Sequence, residues 1–152
     1  MRLLRSWLTL FSLAADPQRF SVFPVHHFFF QMSNSTWVSW MITCESDPSR
    51  FDAISALAAE MSDYFQSNEP STTHFEWSAT SDRTRVDIHE RYANSAQALS
   101  HMAAFGERFG SRFMDLLKPT SVVVYGFPTA ELQAALAALS PLSTESFAGF
   151  HR

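Results

Sequence analysis

Two alternating runs decide the fold: Thr72-Thr-His-Phe-Glu-Trp-Ser-Ala-Thr80 and Thr84-Arg-Val-Asp-Ile-His-Glu-Arg-Tyr92, joined by Ser81-Asp82-Arg83. Apolar and polar residues change places at every step, the period of a half-buried strand, and the Ser-Asp-Arg link has turn composition. Parity constrains how the runs pair, because a slip of one residue turns every side chain to the other face. A hairpin centred between Asp82 and Arg83 sets Trp77 opposite Ile88 and Phe75 opposite Glu90 on one face. The other face then pairs Glu76 with His89 and His74 with Arg91. A one-residue slip opposes apolar to charged side chains throughout, so the centred register is expected, with a loop of two or four residues. A Glu76–His89 contact is expected to add about a few tenths of a kcal/mol.

On the N-terminal side of the hairpin, Thr36 to Glu45 reads as a strand, with Val38, Trp40, Ile42 and Cys44 on one face and Ser39, Met41 and Thr43 on the other. Ser46-Asp47-Pro48 then starts a helix, an N-cap residue ahead of a proline suited to the first helical position. Phe51, Ile54, Leu57, Ala58, Met61, Tyr64 and Phe65 repeat every 3.6 residues, and the helix is expected to end before Asn68-Glu69-Pro70. On the C-terminal side, Asn94 or Ser95 caps a second helix over about Ala96 to Leu117. Its stripe is Leu99, Met102, Gly106, Phe109, Phe113 and Leu117, ended by Lys118-Pro119. Gly106 and Gly110 each weaken a helix by roughly 1 kcal/mol relative to alanine, so close packing is the expected reason for them. Thr120 to Gly126 reads as a buried fourth strand, Ala130 to Leu139 as a short helix with Leu132, Leu136 and Leu139 on one side, and Pro141 to Arg152 has no period.

The order β-α-β-β-α-β plus a C-terminal helix is that of the ferredoxin-like α+β fold, a four-stranded antiparallel sheet with helices on one face. Val38, Trp40, Ile42, Phe75, Trp77, Val86 and Ile88 are expected under the helices. The opposite face is more polar but carries Met41 and Tyr125, which suggests that a second copy covers it.

Composition narrows the function. The 152 residues suit one domain, and nearly half are apolar, with 15 phenylalanines. Residues 1–31 hold Arg2, Arg5 and Arg19 against Asp16, while the remainder has eight basic and fourteen acidic groups. An acidic domain whose one lysine is Lys118 lacks the basic footprint of a nucleic-acid partner. Cys44 is the single cysteine, so neither a disulfide within the chain nor a multi-thiolate metal site is available. Residues 1–31 are expected to be an extension, disordered or an over-called start, ahead of a single domain over 32–152. The basic start and apolar run to Ala15 also fit a secretory signal, and a docked arm is a third reading. The run is too short to span a bilayer. Met32-Ser-Asn-Ser35 looks like an ordinary start of a cytosolic protein, so a cytoplasmic location is expected. His26-His27 lacks a partner ligand nearby, and no metal-ligand spacing, phosphate loop or Ser/Cys triad signature is present.

Asn68-Glu-Pro-Ser-Thr-Thr-His-Phe-Glu-Trp77, Val86-Asp-Ile-His-Glu-Arg-Tyr92 and Ala98-Leu-Ser-His101 together resemble the antibiotic biosynthesis monooxygenase (ABM) domain of the dimeric α+β barrel superfamily. The resemblance covers about Trp37 to Gly126. It implies a homodimer whose sheets pack face to face into a barrel, and a small-molecule pocket between each sheet and its helices. Relatives of this kind include enzymes that oxidise polycyclic phenols or quinols with molecular oxygen and without metal or flavin, haem-degrading proteins, isomerases and many members with no assigned activity. The haem-degrading branch uses an asparagine within the first strand. Here that strand offers Ser39, Met41 and Thr43, with Asn34 before it.

Parity turns Glu90 towards the helices, where a carboxylate is costly unless partnered. His101 lies roughly 110° from the centre of its helix stripe, at the edge of the packed face, in a second stripe with Phe105, Arg108 and Arg112. The expected site is therefore His101 and Glu90 at the rim of a pocket walled by Trp77, Tyr92 and Phe105, with Asn68 and Arg112 as further candidates for substrate binding. There His101 removes a phenolic proton and Glu90 orients the ring and stabilises the imidazolium. Three roles stay open: a structural tie between helix and sheet, ligand binding, and catalysis. The corresponding functions are a cofactor-independent monooxygenase acting on a small aromatic molecule, or a non-catalytic ligand-binding or structural homodimeric module, with haem binding disfavoured.

Overall fold

The computed structural model describes residues 36–148. The extension expected over residues 1–31, with its His26-His27 pair, lies outside the described residues. The sheet is built from β1 (Val38–Ser46), β2 (Thr72–Ala79), β3 (Arg85–Tyr92), β4 (Leu117–Gly126) and a two-residue β5 (Leu142–Ser143), in the order β2-β3-β1-β4-β5. The first four are mutually antiparallel and β5 is parallel to β4. The helices are α1 (Phe51–Asn68), α2 (Ser95–Arg108), α3 (Gly110–Leu116) and α4 (Ala130–Leu136). This is the ferredoxin-like α+β arrangement, with one strand more than the four expected.

The hairpin register is the centred one: Trp77 opposes Ile88, Phe75 opposes Glu90, Glu76 opposes His89 and His74 opposes Arg91. Its loop closes with Thr80 N–H donating to the Arg85 carbonyl, leaving four residues between them. Asp82 ties this loop by accepting from the hydroxyls of Thr80 and Thr84 and from the Thr84 N–H. The Glu76 carboxylate is instead engaged by His74, at 3.2 Å. His89 turns to Ser39, 3.0 Å away.

Asp47 accepts from the Ser49 N–H and so caps a 3-10 turn, Pro48–Arg50, that leads into α1. Ile54, Leu57, Met61 and Phe65 of α1 are buried against the sheet, as the 3.6-residue period requires. The second helix departs from expectation in two ways. It breaks at Phe109, whose φ of −119° leaves the helical range, so α2 and α3 replace one continuous element. The break falls beside Gly110, where helix propensity is weakest. A Cβ at Gly110 would meet the Phe105 carbonyl at 3.7 Å, an ordinary contact, so close packing does not explain that glycine. In addition, the most buried line of α2 is Ser95, Ala98 and His101, one residue out of phase with the expected Leu99 and Met102. The reason is that α2 has two neighbours. His101 faces Glu90 and Trp40 of the sheet and Ala98 is buried in the cluster that includes Leu132 and Leu136 of α4, while Leu99 and Met102 are partly buried against the same cluster. A wider apolar arc displaces the stripe's centre.

β4 begins at Leu117, three residues earlier than expected, and ends at Gly126. Gly126 has φ of +88°, and a Cβ there would lie 2.4 Å from the Trp37 carbonyl oxygen, so both backbone conformation and space demand glycine. The short C-terminal helix tightens to a 3-10 turn over Ala137–Leu139.

Candidate functional site

β3 is an interior strand, and Glu90 sits on its helix-facing side, between Trp40 of β1 and Phe75 of β2. Burial of that face leaves the Glu90 side chain 5% exposed. A carboxyl group is tolerated there because it is heavily hydrogen-bonded. Its Oε2 accepts from the Trp40 indole N–H and from the Tyr92 hydroxyl, both at 2.5 Å. Tyr92 is two residues along the same strand and therefore on the same face. Burial, then the charge of Glu90 and its hydrogen bond, push the Tyr92 hydroxyl well above its ordinary range, which keeps it a proton donor.

His101 reaches this cluster from above. Asn94 accepts from the Gln97 N–H and fixes where α2 begins, and His101 then points down from the second turn. Its ring packs among Phe65 (4.1 Å between centroids), Tyr92 (5.1 Å) and Phe75 (6.0 Å). Nδ1 lies 2.9 Å from Glu69 Oε2, and Nε2 lies 3.4 Å from Glu90 Oε2. A carboxylate only accepts, so Nδ1 carries a hydrogen and donates it to Glu69.

Glu69 is positioned by the end of α1. Its own N–H caps the Phe65 carbonyl, Pro70 stops the helix, and the Thr72 hydroxyl donates to its Oε2 at 2.7 Å. One imidazole thus joins α1, α2 and β3 through two carboxylates.

A cavity of about 50 Å³ between the sheet and the helices is lined by His101 and Glu90 but not by Glu69. Trp40, Ile42, Phe105, Phe113, Leu136 and Leu139 form much of its wall, and among the described residues Glu90 and His101 are the ionisable ones that line it. A volume of this size holds a few waters and is below the roughly 150 Å³ that accommodates benzene. Cys44, also in the core, is no competing nucleophile: burial, then Asp87 and Glu90, push its thiol up to about 12.

The structure brings together His101, Glu90, Tyr92 and Phe105, as expected from the sequence, but with two differences. His101 is in the middle of the packed face rather than at its edge. Tyr92 is a hydrogen-bond donor to Glu90 rather than a wall. Three other expected site residues lie elsewhere. Trp77 packs edge-on against Phe113 and is not a cavity-lining residue. The Asn68 amide donates to the Tyr64 carbonyl at the exposed end of α1. Arg112 forms a two-pronged ion pair with Glu60 on the surface, because the break at Phe109 turns the stripe away from His101. Two members were missed. Trp40 was assigned to the core; its parity put it on the helix-facing side, but the β1–β3 register that sets it opposite Glu90 is a finding of the structure. Glu69 was read as a helix-terminating residue, and the Glu-Pro sequence carries no sign that its side chain turns inward.

Among the described residues, no group of three or more His, Cys, Asp or Glu side chains is arranged to hold a metal ion. Haem does not fit these residues: both nitrogens of His101 face carboxylates, and the cavity is far smaller than a macrocycle. No helix among the described residues is long and apolar enough to cross a membrane.

The chain superposes on MupZ from Pseudomonas fluorescens with a TM-score of 0.68 at 23% identity, over 77% of this chain and 95% of MupZ. It also matches two proteins described as a "putative antibiotic biosynthesis monooxygenase". For the one from Nitrosomonas europaea the TM-score is 0.53 at 20% identity, over 65% of this chain and 94% of that one. For the one from Bacteroides thetaiotaomicron it is 0.51 at 20% identity, over 62% and 90%. No protein-family model and no curated protein matches the sequence. The likeness establishes that this chain has the ABM-type fold.

Proposed function

We propose that the chain is a cofactor-independent monooxygenase that acts on a small phenolic or quinol-type substrate in the cavity between sheet and helices. The observation that carries this reading is the lining of that cavity: an apolar wall with a single polar end, His101 and Glu90. His101 takes the phenolic proton at Nε2, while Glu90, held by Trp40 and Tyr92, orients the imidazole and offsets its charge. A phenolate gives up an electron to oxygen far more readily than a phenol. One oxygen atom then becomes a ring carbonyl. The other leaves as water, carrying the displaced ring hydrogen and a proton taken from solvent, which balances the phenolic proton that His101 keeps. The substrate supplies the electrons, so no metal or flavin is needed. Admission of even a one-ring phenol requires the wall to widen, and the partly exposed Met102 is a flexible lining side chain able to move. The same reading has the chain pairing as a homodimer through the opposite sheet face, where Met41, Val123 and Tyr125 interrupt the polar residues; sedimentation at the monomer mass argues against that.

Oxygen uptake with a panel of phenols and quinols tests the activity. Conversion is expected to fall about 10²- to 10⁴-fold in His101→Gln. Equal turnover in the two proteins would sink the reading. A second reading, a non-catalytic ligand-binding or structural module, is favoured by one observation: the cluster satisfies its own hydrogen bonds without a ligand. Saturable binding with no oxygen uptake supports the binding form, and neither supports the structural form.

A further inference from the structure

We propose that Glu69 is the proton port of the buried site: protons pass between His101 and solvent through Glu69, not through the cavity. This rests on the reading of His101 as a proton acceptor and deepens it. Three groups form a line, Glu90–His101–Glu69, and their exposures differ in a way that gives the line a direction. The side chains of Glu90 and His101 are 5% and 4% exposed, whereas that of Glu69 is 14% exposed. The Nε2 end of the ring faces Glu90 and the cavity; the Nδ1 end faces Glu69 at 2.9 Å. The flanks are closed by Phe65, Phe75, Trp40 and Tyr92.

An imidazole that gains a proton at Nε2 has to release one before the next cycle, and the cavity side is apolar apart from Glu90. The Nδ1 proton has an acceptor within hydrogen-bond reach in Glu69 Oε2. In the transfer, the Nδ1–H bond breaks and an Oε2–H bond forms, leaving carboxylate as carboxylic acid and imidazolium as the Nε2–H tautomer of imidazole, which returns to the Nδ1–H tautomer before the next cycle. The acid then passes the proton to water and is restored. Thr72, which donates to the same oxygen, holds the carboxylate in line. Glu69 acts through His101 and touches no substrate, so it is a positioning and relay residue.

Exchange of the His101 ring Nδ1–H with solvent, followed by nitrogen-15 NMR on the full chain, reads this directly, with the resonance assigned by its absence in His101→Gln. A relay and a mere tie predict opposite signs. If Glu69 carries the proton, Glu69→Gln keeps the hydrogen-bond length but not the basic oxygen, and exchange slows about tenfold or more. If Glu69 only ties the helix down, weakening the tie speeds exchange. Glu69→Asp, a carboxylate with shorter reach, is expected to exchange more slowly than wild type and faster than the glutamine variant. Exchange in either variant that equals or exceeds wild type overturns the proposal, and the aspartate variant suffices if the other does not fold. No substrate enters the measurement, so absence of oxygen uptake counts against the monooxygenase reading alone, and unchanged exchange counts against the port alone.

Discussion

Residues 89 and 90 are neighbours on β3 and point to opposite sides of one sheet, each into a cluster containing a histidine. Inside, Glu90 is met by Trp40, Tyr92 and His101, and the chain of contacts continues to Glu69. Outside, His89 meets Ser39 and stacks on His74 with ring centroids 4.6 Å apart, while His74 approaches Glu76. The residue types are similar; the surroundings are not. Under the helices water cannot substitute for a lost partner, and each polar group of this cluster has a fixed one. On the outer face His74 and Glu76 are 38% and 63% exposed, and solvent stands in for whatever is removed. Chemistry that needs a set geometry and a dry surrounding therefore belongs to the inner cluster.

The comparison breaks first at Glu90. Glu90→Ala leaves the Trp40 N–H and the Tyr92 hydroxyl without their acceptor in a buried place and takes the facing carboxylate from His101. The expected loss is about 3–5 kcal/mol of unfolding free energy, read by denaturant titration. Removing His74 on the outer face is expected to change stability by under about 0.5 kcal/mol. Comparable losses on the two faces would mean that burial is not what separates them.

How far the sequence reached follows the same division. Parity placed Glu90 inward and set the whole hairpin register, because a period of two has one correct phase and each wrong phase opposes charge to apolar groups. Helical phase did less well. His101 was recognised, but it was set at the edge of its face because Leu99 and Met102 outweigh Ala98 in hydrophobicity. Only the presence of α4 shows that these two serve a second neighbour. The inward turn of Glu69 depends on the packing of α1 against α2, which no local pattern encodes. The break at Phe109, which took Arg112 out of the site, had Gly110 as its only sign. β5 is two residues long, too short for any periodicity.

A finer test within the inner cluster is Tyr92→Phe, which removes one donor to Glu90 and leaves the ring in place. The expected loss near neutral pH is about 1–2 kcal/mol, less than for Glu90 because one donor goes and the acceptor keeps Trp40. The pH dependence adds a sign. The Tyr92 hydroxyl is pushed well above its ordinary value of 10.0 by burial and by Glu90. Above that value the unfolded chain releases this proton and the folded one holds it, so the stability contribution is full below it and is lost as pH rises. Part of the alkaline decline in the unfolding midpoint is thus expected to disappear in the variant. An unaltered alkaline slope would assign that decline to other groups, Cys44 first among them.

The smallest effect is expected outside, at His89. Burial, then the neighbouring charge of His74, lowers its proton affinity below the ordinary value of 6.5, with Arg91 acting in the same direction and Glu76 and Glu90 against it. The Ser39 hydroxyl gives its hydrogen to the Glu90 carbonyl, so it accepts from the Nε2–H of His89, and protonation at the other nitrogen gains no new partner there. Below 6.5 the unfolded chain binds a proton that the folded chain refuses until a lower pH. Stability from this group is therefore complete above 6.5 and is lost as pH falls through the folded value. His89→Gln keeps an N–H donor for Ser39 and removes the titration. The variant is expected to match wild type in unfolding midpoint at about pH 7.5 and to exceed it by about 1–2 °C at about pH 5.5. If wild type and variant decline in parallel over that interval, the outer histidine is as uncoupled from folding as an exposed one. The contrast between the two faces would then be larger than the structure indicates. If the variant gains many degrees, the outer cluster resists charge nearly as the inner one does, and solvent screening on that face has been overestimated.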